Sequence, residues 1–113
     1  MNILILGSGI VGANLAKKLS EQGKNVFLLD DDANELKNLS ERFDIKTIYD
    51  DPLNPSFYKN FDNKIDYFIA VTRSDEKNII TSKFAKEFLN VDKTIARVRN
   101  QNLILEENKS LLI

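Results

Sequence analysis

Five short apolar runs alternate with stretches whose apolar residues fall three and four apart, and this pattern predicts an α/β fold built on a parallel sheet with helices on both faces. A glycine-rich turn, Gly7-Ser8-Gly9-Ile10-Val11-Gly12, joins the first run to the first helical stretch. An acid, Asp30, closes the second run eighteen residues after Gly12, against the ~20 expected of the group that takes the ribose hydroxyls of a dinucleotide. Strand, glycine turn, helix and acid together form the dinucleotide-binding fingerprint. The expected fold is therefore Rossmann-like: a doubly wound parallel sheet in three α/β/α layers.

The strands are expected near Asn2 to Leu6, Asn25 to Leu29, Lys46 to Tyr49, Ile65 to Val71 and Lys93 to Val98. Their runs lack polar alternation, as strands covered on both faces do. The first helix carries Val11, Leu15 and Leu19 on one face and stops at Gly23, a residue suited to the position just past a helix end. The second starts at a cap on Asp31 or Asp32 and buries Leu36, Leu39 and Phe43. Asn54-Pro55 reads as an N-cap followed by proline in the first helical position, opening a short helix through Tyr58. A fourth helix runs from about Ser74 to Leu89, with Ile80, Phe84 and Phe88 as one apolar stripe. Right-handed crossovers between these strands predict the order 3-2-1-4-5. At the end, Leu103-Ile104-Leu105 and Leu111-Leu112-Ile113 read as an amphipathic helix and an apolar stub, to be covered by an oligomer contact or by the rest of a longer chain; the second is favoured.

Composition narrows the function. At 113 residues the chain is sized for one core, so residues 1–113 are expected to form a single nucleotide-binding domain, cut from something longer. With no cysteine and no histidine, disulfides, iron-sulfur clusters and thiol chemistry are excluded, and the commonest metal ligand and general base are missing. Both absences weigh against an enzyme and against a metal site. A formal net charge of −1 without a long basic run speaks against nucleic acid, and no apolar run approaches the ~20 residues of a membrane span. A basic flank and cleavage site are also lacking at the start, so a cytoplasmic location is expected.

The candidate site follows from the fingerprint. Gly7 allows the tight turn out of the strand, Gly9 leaves room for a pyrophosphate, and Gly12 lets the helix pack closely. The helix's first-turn N–H groups then face the phosphates. Asp30 argues for NAD over NADP, because a carboxylate repels a 2′-phosphate. Thr72, Arg73 and Ser74 follow the fourth strand beside the point where strand order reverses, so they face the same crevice; capping of the next helix by Ser74 or Thr72 accounts for them about as well. In the fifth strand, alternation puts Arg97 and Arg99 on one side. Arg97 is the one expected to fork onto a phosphate, and Arg99 is expected to pair with a surface acid.

Taken together, Gly7-Ser8-Gly9-Ile10-Val11-Gly12, Asp30, the segment Ala70-Val71-Thr72-Arg73-Ser74-Asp75-Glu76 with Asn78, and Ile95-Ala96-Arg97-Val98-Arg99-Asn100 resemble the N-terminal domain of TrkA-type regulators of potassium transport, also called the RCK N-lobe or KTN domain. The resemblance covers nearly the whole chain. It implies a cytoplasmic regulatory module that binds NAD or NADH, or in some relatives ATP or ADP, without turnover. It also implies homo-oligomers, as dimers or larger rings, set against a membrane potassium channel or transporter, with nucleotide occupancy biasing the ring's shape. On this sequence the backbone from Gly7 to Val11, Ser8 and Ile10 included, would hold the pyrophosphate and Asp30 the adenosine ribose. Thr72 and Arg73 would line the pocket and Arg97 would reach a phosphate. Gly12, Asp31, Asp51 and Ser74 complete the expected nucleotide-contacting set.

The chain departs from the family pattern after the third strand. Where relatives show a glycine and a small or polar residue, it has Tyr49-Asp50-Asp51-Pro52, a carboxylate pair that disfavours a phosphate-rich ligand in that corner. A rival reading is the cofactor domain of an NAD-dependent oxidoreductase. That reading needs a proton donor or acceptor, yet no tyrosine here is followed four residues later by lysine. A nucleotide-free scaffold is the third reading, opposed by the intact glycines and ribose acid.

Overall fold

In the computed structural model, which describes residues 1–103, five parallel strands alternate with four helices. β1 (Asn2–Leu6), α1 (Ile10–Glu21), β2 (Asn25–Asp30), α2 (Ala33–Arg42) and β3 (Lys46–Tyr49) form one half. The other half is α3 (Pro55–Asn60), β4 (Tyr67–Ala70), α4 (Asp75–Phe84) and β5 (Lys93–Ala96), with a π-helical turn, Ala85–Leu89, continuing α4. The sheet order is 3-2-1-4-5, so the fold is the expected doubly wound, Rossmann-like one. β1 pairs with β2 from Asn2↔Asn25 to Leu6↔Leu29 and with β4 from Ile3↔Tyr67 to Leu6↔Ala70. The chain reverses its winding between those two neighbours. Leu103, where the expected C-terminal helix begins, closes a 3₁₀ turn over Gln101–Leu103, and the rest of that helix and the stub lie outside the described residues.

Successive residues of each strand feed opposite faces. Leu4, Leu6, Phe27, Leu29, Phe68 and Ala70 meet Tyr58 of α3 and Ala85 and Leu89 of the π turn on one side. Ile3, Ile5, Val26, Leu28, Ile69 and Val71 meet Ala16 of α1 and Leu36 and Leu39 of α2 on the other. This two-faced burial explains why β1, β2 and β4 read as apolar runs. Tyr58, fully buried, keeps its hydroxyl satisfied by donating to the Pro52 carbonyl at 2.6 Å.

Helix starts follow the predicted chemistry. Asp32, the second of the two candidate caps, accepts from the Glu35 N–H at 3.1 Å, Asn54 from Ser56 at 3.0 Å with Pro55 next in line, and Ser74 from Lys77 at 3.1 Å. Gly23 takes a positive φ of 82° just past α1.

Four local expectations change. β4 begins at Tyr67 rather than Ile65 and ends at Ala70 rather than Val71, although Ile65 and Val71 are both buried as the chain enters and leaves it. β5 ends at Ala96, after which the Arg97 N–H still bonds to the Ala70 carbonyl at 2.9 Å. Val11 is 41% exposed at the mouth of a cleft, and α1 buries Gly12 and Ala16 instead. Ile80 is 43% exposed and leaves the stripe that Phe84 and Phe88 continue. Residues four apart turn by 400°, so an i, i+4, i+8 line drifts around a 3.6-residue helix. α4 instead turns Asn78, Thr81 and Ser82 inward. The Thr81 and Ser82 hydroxyls donate back to the Lys77 and Asn78 carbonyls, each at 2.7 Å, which lets small polar residues be buried at little cost.

Candidate functional site

The turn between β1 and α1 is held from three sides. Gly7, at φ 116°, donates its N–H to the Leu29 carbonyl at 3.0 Å, and a Cβ there would come within 3.1 Å of the backbone of Val71 and Thr72. A Cβ on Gly12 would overlap the Gly7 carbonyl oxygen, so the helix sits directly on the turn. Gly9 differs: nothing lies within 4 Å of where its Cβ would be. That open side faces a cleft of about 1140 Å³.

Asp30 organises the same turn. Its Oδ2 accepts from the Ser8 N–H at 2.6 Å and the Ser8 hydroxyl at 2.7 Å, and its Oδ1 from the N–H groups of Asp31 at 2.7 Å and Asp32 at 3.1 Å. Partial burial raises its affinity for a proton, but these hydrogen bonds outweigh the effect and hold the carboxyl below its ordinary value. Their stabilisation is fully present above the unfolded-state pKa near 4 and is lost as pH falls through the lower folded value. Asp30→Asn is expected to cost about 1–2 kcal/mol at pH 7, at the modest end because the group is partly exposed. The gap from the parent should close in urea titrations taken stepwise below pH 4.

α1 begins without a side-chain cap. Gly9 occupies its N-cap, no carboxylate lies in its first turn, and the first N–H groups point toward the cleft. By contrast α2, α3 and α4 each carry a side-chain cap. An uncapped, unneutralised helix start beside an open glycine is an anion-binding arrangement.

The opposite wall is knit by Asn78. Fully buried, it accepts from the Thr72 N–H at 2.9 Å and the Thr72 hydroxyl at 2.7 Å, and donates to the carbonyls of Thr72 at 3.0 Å and Arg97 at 2.9 Å. One amide thus ties the end of β4 to the end of β5. Asp75 adds a second tie by accepting from the N–H groups of Arg99 and Asn100, which pull its carboxyl below the ordinary value.

Gly7, Ser8, Gly9, Ile10, Val11, Asp30, Asp31, Thr72, Arg73 and Arg97 all line the cleft. Three other candidates do not. Gly12 lies beneath the turn, and Ser74 caps α4 while its own N–H donates to the Thr72 hydroxyl. Asp51 sits in the β3–α3 connection, where its side chain accepts from the Leu53 N–H at 3.0 Å. Arg99 lines the cleft beside Arg97, and the one ion pair among the described residues is Lys64–Asp92, so the surface pairing expected of Arg99 is not formed there. Lys77, Ala13 and Asn14 of α1, Asp32, and Glu35, Leu39 and Arg42 of α2 with Phe43 just past it also line the cleft, and the set expected from the sequence does not include them. Lys77 stands in the first turn after the Ser74 cap, a position that could have indicated it. The α2 residues carry no local signal.

Residues 3–108 match a family model described as the TrkA-N domain. The chain belongs to the TrkA-N family. Among its relatives, the Trk system potassium uptake protein TrkA of Haemophilus influenzae is 32% identical over 110 residues, covering 96% of this chain and 24% of that protein. The TrkA of Halomonas elongata is 36% identical over 100 residues, covering 88% and 22%. This TrkA-N domain therefore spans about a quarter of the length of those relatives. In fold it is similar to the NAD(P)-binding domain of an exopolyphosphatase-related protein from Archaeoglobus fulgidus, with TM-score 0.85, 23% identity, and 98% and 85% of the two chains covered. It is also similar to the GsuK channel bound to NAD, with TM-score 0.76, 20% identity, and coverage of 89% and 18%. Among the described residues no helix is long and apolar enough to cross a membrane.

Proposed function

We propose that this domain binds NAD or NADH without turning it over and serves as the nucleotide-sensing part of a potassium uptake regulator. The observation that carries the reading is the uncapped start of α1 beside the open face of Gly9, with Asp30 next to the turn in the same cleft. The pyrophosphate lies on the first turn of α1, the adenosine ribose approaches Asp30, and Arg97 forks onto a phosphate oxygen. Asp30 repels the extra phosphate of NADP, so NADPH binds more weakly than NADH. ATP and ADP share the adenosine and phosphates and are the alternative ligands. Family membership supports the potassium-transport setting, and the NAD carried by the GsuK channel supports the choice of ligand.

In this reading the domain works in the cytoplasm as part of a homo-oligomer bound to a membrane potassium transporter or channel. Nucleotide occupancy biases that partner through different affinities for two shapes of the assembly. No general acid or base stands at the cleft in the form of histidine or cysteine, in keeping with binding rather than catalysis.

Calorimetric titration with NADH, NAD, ATP and ADP tests the ligand. Gly9→Val is the matching variant. Gly9 has an ordinary φ of −70° and space around its Cβ position, so the stability loss should be no more than about 1 kcal/mol, the cost of a valine in place of a glycine N-cap. The valine side chain occupies the pyrophosphate's approach, and affinity for NADH should fall by at least about tenfold. Unchanged NADH affinity in a folded Gly9→Val chain would remove the pyrophosphate from this turn.

A further inference from the structure

β3 is the outermost strand on its side of the sheet, and among the described residues it pairs with β2 alone. Such an edge presents a row of unpaired backbone groups to any other strand. Which groups face outward follows from the register. Tyr49 lies opposite Asp30, and the Asp50 N–H donates to the Asp30 carbonyl at 3.2 Å. Because the N–H and C=O of one strand residue point to the same side and the side alternates, Lys46, Ile48 and Asp50 turn their backbone toward β2, and Thr47 and Tyr49 turn theirs outward. Side chains alternate as well. Phe27 and Leu29, the β2 partners of Lys46 and Ile48, lie in the core on the α3 side, so Lys46, Ile48 and Asp50 share that face. Thr47 and Tyr49 share the other, where Tyr49 is left 68% exposed. A lysine alone would guard the edge against pairing. Here an acid stands on the same face four residues along, and no ion pair among the described residues engages either of them.

We infer that β3 docks a second copy of this chain, the two β3 strands pairing antiparallel about a two-fold axis through Ile48. Antiparallel pairing requires outward-facing residues to meet outward-facing ones. Centred on Ile48, the register sets Thr47 of each copy against Tyr49 of the other as hydrogen-bonded pairs, which covers the exposed ring with a β-branched neighbour. It sets Lys46 of each copy against Asp50 of the other as non-hydrogen-bonded pairs, the kind in which side chains lie closest. Both charged pairs are then opposite in sign. An axis through Thr47 or Tyr49 keeps the backbone match but places Lys46 or Asp50 against Ile48, so charge selects the Ile48 register. The face also has room for the lysine: a cleft of about 320 Å³ lined by Asp50, Phe57 and Phe61 can take its stem against the rings and its head on the carboxylate. The contact is self-complementary, as a two-fold interface must be, and joins two five-stranded sheets into one of ten strands. So short an edge falls below the ~1,200 Å² of a permanent interface, which makes the association weak and concentration-dependent. It goes beyond the proposed function by naming a surface, and it does not depend on the nucleotide.

The test is sedimentation equilibrium of the chain at low salt, in which the mass should rise from monomer toward dimer between about 10 µM and about 1 mM. Lys46→Asp and Asp50→Lys each set like charges across both pairs, and each variant alone should need at least about tenfold more protein to dimerise. An equimolar mixture of the two restores opposite charges at every pair and should dimerise as readily as the parent. Both positions are exposed, and circular dichroism checks that the variants fold. Cross-linking reads the axis itself, because the chain has no cysteine of its own. In an Ile48→Cys variant the two introduced thiols face each other with Cα atoms about 4.5 Å apart, within disulfide reach, and should oxidise to a covalent dimer much faster than those of Lys93→Cys on the opposite edge. If Ile48→Cys does not fold, the mixing experiment carries the test. A parent still monomeric at about 1 mM overturns the inference. So does a dimer that both charge variants leave unchanged, a mixture no better than its components, or cross-linking at Ile48→Cys no faster than at Lys93→Cys.

Discussion

Gly12→Val is expected to cost at least about 3 kcal/mol, the upper end of what overpacking usually does, because the intruding atoms meet backbone rather than a side chain that can swing aside. The overlap is with the Gly7 carbonyl, whose residue is itself fixed by a hydrogen bond to Leu29 and by the backbone of Val71 and Thr72. Neither partner can retreat without opening the β1–β2 or β1–β4 contacts. For a domain of this size the loss is a large share of the total stability. Urea unfolding followed by far-ultraviolet circular dichroism measures it. A Gly12→Val midpoint equal to the parent's would show that α1 can be lifted from the turn at little cost. The contrast with Gly9→Val, two substitutions of one kind three residues apart, separates packing from ligand approach.

The second large effect is expected at Asn78. Asn78→Ala leaves the Thr72 N–H and the carbonyls of Thr72 and Arg97 without their buried partner, and the loss should be about 3–4 kcal/mol. Asn78→Asp keeps the volume and the acceptor but removes both donors. It should recover only part of the loss, and less of it above the pH at which the buried acid ionises. Urea unfolding gives the energies, and amide exchange at Thr72 should accelerate in both variants because its N–H bond ends on this side chain in the parent. A loss below about 1 kcal/mol for Asn78→Ala would mean that water replaces the amide and that the β4–β5 junction does not depend on it.

Asn78 also marks the boundary of what the sequence made legible. β1, β2 and β4 were readable because each is buried on both faces, and the order 3-2-1-4-5 followed from right-handed crossovers. Asn54-Pro55 and the Asp31-Asp32 pair announced helix starts through local chemistry, which acts within a few residues and needs no tertiary context. α4 was harder. Its inner face is Asn78, Thr81 and Ser82, residues whose polarity reads as solvent-facing, and their burial depends on hydrogen bonds to the helix's own carbonyls and to strands far away in sequence. The apolar line through Ile80 was followed instead and led to an exposed side chain. Within the cleft, the turn and Asp30 were legible from spacing. Leu39 and Arg42 of α2 and Phe43 just past it were not, because only the tertiary fold brings the end of α2 to the cleft. Asp51 shows the converse. It was expected to contact the nucleotide, whereas it accepts the Leu53 N–H in the β3–α3 connection and does not line the cleft.

The hydrogen bonds from Ser8, Asp31 and Asp32 to Asp30 have a bearing on time as well as on stability. They fix the turn, Asp30 and the helix start in relation to one another, so the ordering entropy of this corner is met when the chain folds. A nucleotide entering such a corner need not wait for a loop to close. Its capture and escape are then governed by diffusion and by the strength of the finished contacts. Under the proposed reading, occupancy would follow the surrounding nucleotide pool with little lag, and any slow step in a response would lie outside this corner.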